Sequence, residues 1–332
     1  MKIFVSMPID SLVRKTFFTP PACTYLEKYF EVAYSPLHRQ LQPEEIVAYA
    51  KDADVIMTGW SHPKIETKYL EGTTVKIIAH TGGSVADYVA EDVFDAGITV
   101  LSGNELYAES VAEGTLGYML MALRAMPEHI SAVRSGGWDP PCPTEGLFDQ
   151  TVGLIGFGAV SRKLAAMLRP FRAAIKIYSA RAIDPEWLTQ TGAEQTSLED
   201  IFSSCKLVSL HTSLRPQTRN MIRKKHFDLL AEDAIFLNTA RGPIINQAEL
   251  VDALLENRFR AVLDVFDQEP LESNNLLRKL PNVYSFPHKA GPTIDRRPMV
   301  VKALGEDILR LSRGEPLQYE ISPQQATYMT RA

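Results

Sequence analysis

Cysteine is scarce in this chain. There are three in 332 residues, Cys23, Cys142 and Cys205, widely separated and odd in number. Such a set builds no disulfide framework and matches no zinc spacing, so a reducing cytoplasm and no bound metal are expected. Long apolar runs are also missing. None approaches the roughly 20 residues that a membrane helix needs. The opening Met1-Lys2-Ile3-Phe4-Val5-Ser6 is too short for the apolar segment of a signal peptide and reads as a first strand. Positive charge is not in excess: 35 Lys and Arg face 40 Asp and Glu, for a net charge of -5. That balance excludes the basic footprint of a nucleic-acid binder and gives no pull towards an anionic membrane. Low-complexity tracts and repeats of solenoid length are absent too.

What is present is an alternation of short apolar runs and helix-like stretches, in two series. The length alone exceeds one ordinary core and implies two domains. The first series contains Ile3-Phe4-Val5, Val55-Ile56-Met57, Val75-Lys76-Ile77-Ile78 and Ile98-Thr99-Val100-Leu101. The second runs through Val152-Gly153-Leu154-Ile155, Ile175-Lys176-Ile177-Tyr178, Leu207-Val208-Ser209-Leu210, Ala234-Ile235-Phe236-Leu237, Arg260-Ala261-Val262-Leu263 and Val283-Tyr284-Ser285-Phe286. Strands alternating with helices predict βαβ units, and hence parallel sheets covered on both faces. Between the two series, residues 108 to about 134 read as one long helix, apolar nearly all round. Such a helix is buried on more than one side, either as a central core helix or as one shared with a second subunit.

Gly156-Phe157-Gly158 ends a strand and opens a helix at Ala159 and Val160. In a dinucleotide fold the first glycine makes the turn, and the second lets backbone approach a pyrophosphate at the positive helix end. Ser161 stands where a third glycine is usual. About 20 residues on, the acidic residue that holds the ribose hydroxyls of NAD is missing. Tyr178-Ser179-Ala180-Arg181 stands there instead. An arginine attracts a 2'-phosphate that a carboxylate would repel, so NADP is favoured over NAD.

Three later segments follow strand-like runs: Asn238-Thr239-Ala240-Arg241-Gly242, Asp264-Val265-Phe266-Asp267-Gln268-Glu269-Pro270 and Pro287-His288-Lys289-Ala290-Gly291-Pro292-Thr293. Ligands gather at the carboxyl ends of strands in such sheets. Reduction of a 2-keto acid asks for these residue types. An arginine grips the carboxylate and polarises the carbonyl. A histidine delivers the proton, and a carboxylate beside it favours the imidazolium and fixes its orientation. Each residue taken alone is an ordinary surface charge, loop residue or structural histidine.

Together these stretches resemble the D-2-hydroxyacid dehydrogenase family over nearly the whole chain. Ser110-Val111-Ala112-Glu113 and the segment from His211 to Thr218 add to the likeness. The resemblance implies Arg241 as substrate anchor, Glu269 as partner of the histidine and His288 as acid/base. It implies that Asp264 and the Ala240 backbone hold the nicotinamide amide, and that His211, Thr212, Thr218, Thr239 and Gly291 lie near the cofactor. Thr81-Gly82-Gly83-Ser84-Val85 resembles the family's substrate-carboxylate loop, with Gly83, Ser84 and Val85 as binding positions. Small-residue turns free backbone N–H groups for such a task. Trp60, also just past a strand, is placed as a wall of the substrate pocket.

The implied architecture is α/β, with two doubly wound parallel sheets. A Rossmann cofactor domain at 104–291 is inserted in a flavodoxin-like substrate domain at 1–103 and 292–332, closed by a helix from Thr293 to Ser312. A homodimer through the cofactor domain is implied as well, with a small 2-keto acid as the other partner. Departures from the family's usual residues are Ser213 for a proline, Lys289 for an aliphatic residue, and the missing carboxylate at Ser179. Other readings share parts of the pattern. A non-catalytic nucleotide-sensing protein resembling the C-terminal binding protein corepressors would retain the Arg–Glu–His set. A formate-directed enzyme would need a smaller pocket. A methyltransferase would use the glycine turn but leave the trio without a role.

Overall fold

The computed structural model describes residues 1–331. The chain divides into two compact units, Met1–Tyr107 with Pro292–Ala332, and Ala108–Gly291. In the first unit, β1 (Lys2–Val5), β2 (Glu31–Tyr34), β3 (Val55–Thr58), β4 (Ile77–His80) and β5 (Thr99–Ser102) form a sheet in the order β2-β1-β3-β4-β5. Every pairing is parallel. This is the flavodoxin-like order.

The second unit carries seven parallel strands: β6 (Thr151–Ile155), β7 (Ala174–Tyr178), β8 (Glu194–Gln195), β9 (Leu207–Leu210), β10 (Ile235–Asn238), β11 (Arg260–Leu263) and β12 (Val283–Ser285). Their order is β12-β11-β10-β9-β6-β7-β8. That is the Rossmann order with one further strand. The order reverses between β6 and β9, and the crevice at such a switch point is where ligands bind.

The sheets look this way because β3, β4, β9 and β10 are buried along their whole length. Strands with two apolar faces need helices on both sides. Each sheet accordingly has a core on either face. In the second unit, Phe202, Phe227, Phe236 and Phe259 fill one, and Leu154, Leu164, Ile177 and Leu237 fill the other. Each such side chain contributes roughly 1.5–3 kcal/mol relative to exposure. No helix among the described residues is long and apolar enough to cross a membrane.

The expected single helix over 108–134 is two helices, Asn104–Leu123 and Met126–Arg134, joined at Ala125 in a left-handed conformation (φ 45°). Pro127 explains the break. It has no N–H to continue the ladder, its ring would clash with the carbonyl four residues back, and it disfavours helical backbone before it. The two halves also differ in burial. Ala112, Met119, Ala122 and Leu123 belong to the core of the second unit, whereas Met126, Ile130 and Val133 are exposed. The closing helix spans Arg297–Ser312 rather than starting at Thr293. Pro298 is tolerated in a first turn but not in a helix interior, so the helix begins just before it.

Candidate active site

At the end of β6, Gly156 adopts φ +107°, and an added Cβ would lie 2.8 Å from the backbone nitrogen of Thr212. Only glycine fits this turn. Gly158 then caps the helix Ala159–Leu168 without a side-chain hydrogen bond, and a Cβ there would meet nothing within 4 Å. The first-turn N–H groups of this helix, including those of Ala159 and Val160, have no intrahelical acceptor, and they lie at its positive end. A dinucleotide pyrophosphate fits this cradle. Ser161 is buried and donates its hydroxyl to the Gly156 carbonyl at 2.7 Å. Serine thus replaces the third glycine without an unsatisfied polar atom. Phe157 packs edge-to-face on Trp187.

Past β7, the Ser179 hydroxyl accepts from the Arg181 N–H, and the Gln195 side chain donates to the carbonyls of Ser179 and Arg181. The loop is therefore tied down, with Arg181 exposed. The nearest carboxylate after it in sequence, Asp184, is engaged with the Glu186 N–H at the start of the next helix.

Past β9, the ring of His211 pairs with the Ser209 hydroxyl, and burial pushes its imidazole down to about 4. The Thr218 hydroxyl donates to the Ser213 carbonyl and accepts from the Arg215 N–H, so it closes its own loop. Thr212 borders the Gly156 turn.

The ends of β10, β11 and β12 bring three ionisable groups together. Glu269 Oε2 meets His288 Nδ1 at 2.7 Å, and Glu269 Oε1 accepts from the Phe266 N–H. A carboxylate only accepts, so Nδ1 carries the proton of this contact and Nε2 is left for a ligand. Burial raises the Glu269 carboxyl. The His288 hydrogen bond, the Phe266 N–H and the charges of His288 and Arg241 outweigh it, and the carboxyl sits below the usual range. Arg241 is thus electrically coupled to the pair. One of its nitrogens donates to the Ala240 carbonyl at 2.7 Å. Gly291 follows the turn carrying His288, and Lys289 is exposed.

Two positions assigned to the nicotinamide are heavily engaged by protein. The buried Asp264 carboxylate accepts from Tyr118 Oη and the Lys289 N–H on one oxygen and from the Ala290 N–H on the other. The Thr239 hydroxyl pairs with Thr115, and the Ala240 N–H with the Asn238 side chain. Tyr118 and Thr115 carried no local signal. Both lie more than 100 residues from their partners.

In the first unit, Ser102 donates to the carbonyls of Gly82 and Gly83, which fixes the loop after β4. The Ser84 hydroxyl is engaged by the Thr330 carbonyl. Val85 is a buried core residue whose N–H faces the Met329 sulfur. Trp60 is half-buried and edge-on to Phe17 and Tyr107, with Arg297 over its face at 5.2 Å.

Residues 116–290 match the family model described as D-isomer specific 2-hydroxyacid dehydrogenase, NAD binding domain. The chain is 33% identical over 285 residues to a D-3-phosphoglycerate dehydrogenase of Methanocaldococcus jannaschii, covering 83% of this chain and 53% of that one. The chain therefore spans about half the length of that relative. It is 29% identical over 306 residues to a glyoxylate reductase of Aeropyrum pernix, covering 89% and 91% of the two chains. Among solved structures, a phosphoglycerate oxidoreductase from Rhizobium etli superposes with a TM-score of 0.80 at 22% identity, over 97% of this chain and 98% of that one. The likeness to that structure is one of fold.

Proposed function

The chain belongs to the D-isomer specific 2-hydroxyacid dehydrogenase family, and on that premise we propose that it interconverts a small 2-keto acid and its 2-hydroxy acid with a nicotinamide cofactor. The His288–Glu269 contact at 2.7 Å, coupled to Arg241, carries this reading. The cofactor would be held by the turn from Gly156 to Val160 and by the loops after β7, β9 and β11. When bound it supplies or accepts the hydride. Arg241 holds the substrate carboxylate and polarises the carbonyl. His288 Nε2 gives the proton in reduction and takes it in oxidation. Glu269 accepts from Nδ1–H and so fixes the orientation of the ring. Trp60 and the backbone at Gly83 and Ser84 are assigned to substrate binding on the resemblance alone. The Val85 N–H, which already faces the Met329 sulfur, is the weaker member of that group.

We further propose NADP as the preferred cofactor, a homodimer and a cytoplasmic location. Arg181 at the end of β7, with no carboxylate from Tyr178 to Ala182, supports the first. The second rests on the exposed Met126, Ile130 and Val133 and on Trp138, which is 85% exposed. An apolar patch of this kind is the usual mark of a protein contact. Three free cysteines accord with a reducing compartment.

The test is cofactor oxidation with a panel of 2-keto acids, each with NADPH and with NADH. Turnover of at least one acid is expected. Cofactor binding without turnover on any acid would overturn the enzyme reading and leave a nucleotide-sensing role. In Arg181→Ala, the NADPH-over-NADH ratio of kcat/KM is expected to fall roughly tenfold or more, the value of a charge-assisted hydrogen bond. An unchanged ratio would remove Arg181 from cofactor choice.

A further inference from the structure

We propose that Tyr118 is a positioning residue for the His288 turn, acting through Asp264; this rests on the reading of His288 as acid/base. His288 adopts φ +54°, a left-handed conformation that is uncommon for residues other than glycine, though histidine, asparagine and aspartate enter it more readily than most. Backbone of this kind persists only where its surroundings over-determine it. Here one aspartate does so. Its carbonyl accepts from the His288 N–H at 2.9 Å, and its carboxylate accepts from the next two, Lys289 at 2.7 Å and Ala290 at 2.9 Å. Three consecutive N–H groups thus converge on Asp264, and where its carboxylate points decides where His288 points.

Asp264 is buried, and the side chain of Tyr118 donates to its carboxylate, with Oη 3.0 Å from Oδ1. Burial first, and then the charge of Asp264, hold the phenol well above its ordinary range. It therefore stays a donor throughout the working pH range. The Tyr118 ring also stacks on Phe286, two residues before His288, with centroids 4.3 Å apart. The same helix meets the other functional loops. Thr115 donates to the Val111 carbonyl, so the Thr239 hydroxyl must donate to Thr115. At Gly114, an added Cβ would lie 2.9 Å from the Ala290 carbonyl oxygen. Gly114, Thr115 and Tyr118 sit at helical spacing on adjoining faces, so this stretch buttresses the loops after β10, β11 and β12. A tyrosine that merely filled the core would need the ring but not the hydroxyl.

The test is Tyr118→Phe, which keeps the ring stack and removes the donor. The full chain is measured with its best keto acid and cofactor. We expect kcat to fall about tenfold with the KM of the acid within twofold, because the lost contact serves proton delivery rather than substrate grip. Hydrogen exchange of a peptide covering residues 286–291 should quicken in the variant. An unchanged kcat in an active enzyme would overturn the inference. Should the wild type turn over no keto acid, the functional reading fails separately, and hydrogen exchange still decides the linkage. Faster exchange of the Lys289 and Ala290 amides supports it, and equal exchange refutes it.

Discussion

Replacing His288 with asparagine is expected to lower kcat for keto-acid reduction about 10²–10⁴-fold, the usual worth of a positioned proton donor, while leaving cofactor affinity nearly unchanged. Asparagine is the informative choice because of the backbone. Position 288 lies at φ +54°, and asparagine is among the few residues that tolerate this region. Alanine would add backbone strain to the chemical loss and blur the result. The asparagine amide can still donate to Glu269, so that carboxylate is not left bare. What disappears is the ring nitrogen that carries the transferred proton. Glu269→Gln is expected to be milder. A glutamine oxygen can accept from only one of the two donors that the carboxylate holds on separate oxygens, the histidine Nδ1–H and the Phe266 N–H, and the charge beside the histidine is gone. The variant keeps the proton donor, so its kcat loss should be smaller than that of His288→Asn. Steady-state kinetics of the two variants separates these roles. Equal losses would mean that Glu269 is as essential as the proton donor itself.

The second sheet was largely legible because its strands are short apolar runs bounded by polar or small residues. Burial on both faces makes that pattern continuous, as in Leu207–Leu210 and Ile235–Asn238. Arg241, Glu269 and His288 stood out because each follows one of those runs, where a doubly wound sheet collects its ligands. The strand Glu31–Tyr34 did not stand out. It is an edge strand with no fully buried residue, so no apolar run marks it. The break at Ala125 was masked by apolar periodicity that continues through Met126 and Ile130, although Pro127 was a local signal against one helix. The Tyr118–Asp264 contact spans 146 positions and depends on how the helix lies on the sheet. Nothing local in either segment encodes it. The environments of His62 and His80 were equally silent, because a histidine's burial is decided by the elements packed over it.

Those two histidines lead to the other large effect, a steep loss of stability in mild acid. His62 and His80 are buried in the first unit. Burial pushes His62 down to about 4 and His80 to about 3, the latter helped by the neighbouring charge of His62. Their ordinary value is about 6.5. Below that pH the unfolded chain takes up protons that the folded chain refuses, so stability rises with pH across this window. Their contribution is complete above about 6.5 and is lost as pH falls towards the folded values. Each histidine adds a slope of up to about 1.4 kcal/mol per pH unit, or about 2.7 for the pair. His211 and His226, both lowered by burial, act in the same direction in the second unit. Glu269 does not compete in this range. Its lowered carboxyl gives stability that is lost only below the ordinary carboxylate value. His80 also bonds Thr58 through Nδ1 and stacks on Tyr88, so acid would first loosen the end of β4, where the loop carrying Gly83 and Ser84 begins. The check is unfolding by urea at pH 7.5, 6.5, 5.5 and 4.5, for wild type and His80→Gln. The variant is expected to be less stable at pH 7.5, having lost the ring stack, yet to lose about 1.4 kcal/mol less per pH unit below 5.5. Parallel curves for the two proteins would mean that His80 takes up its proton in the folded state as readily as in the unfolded one.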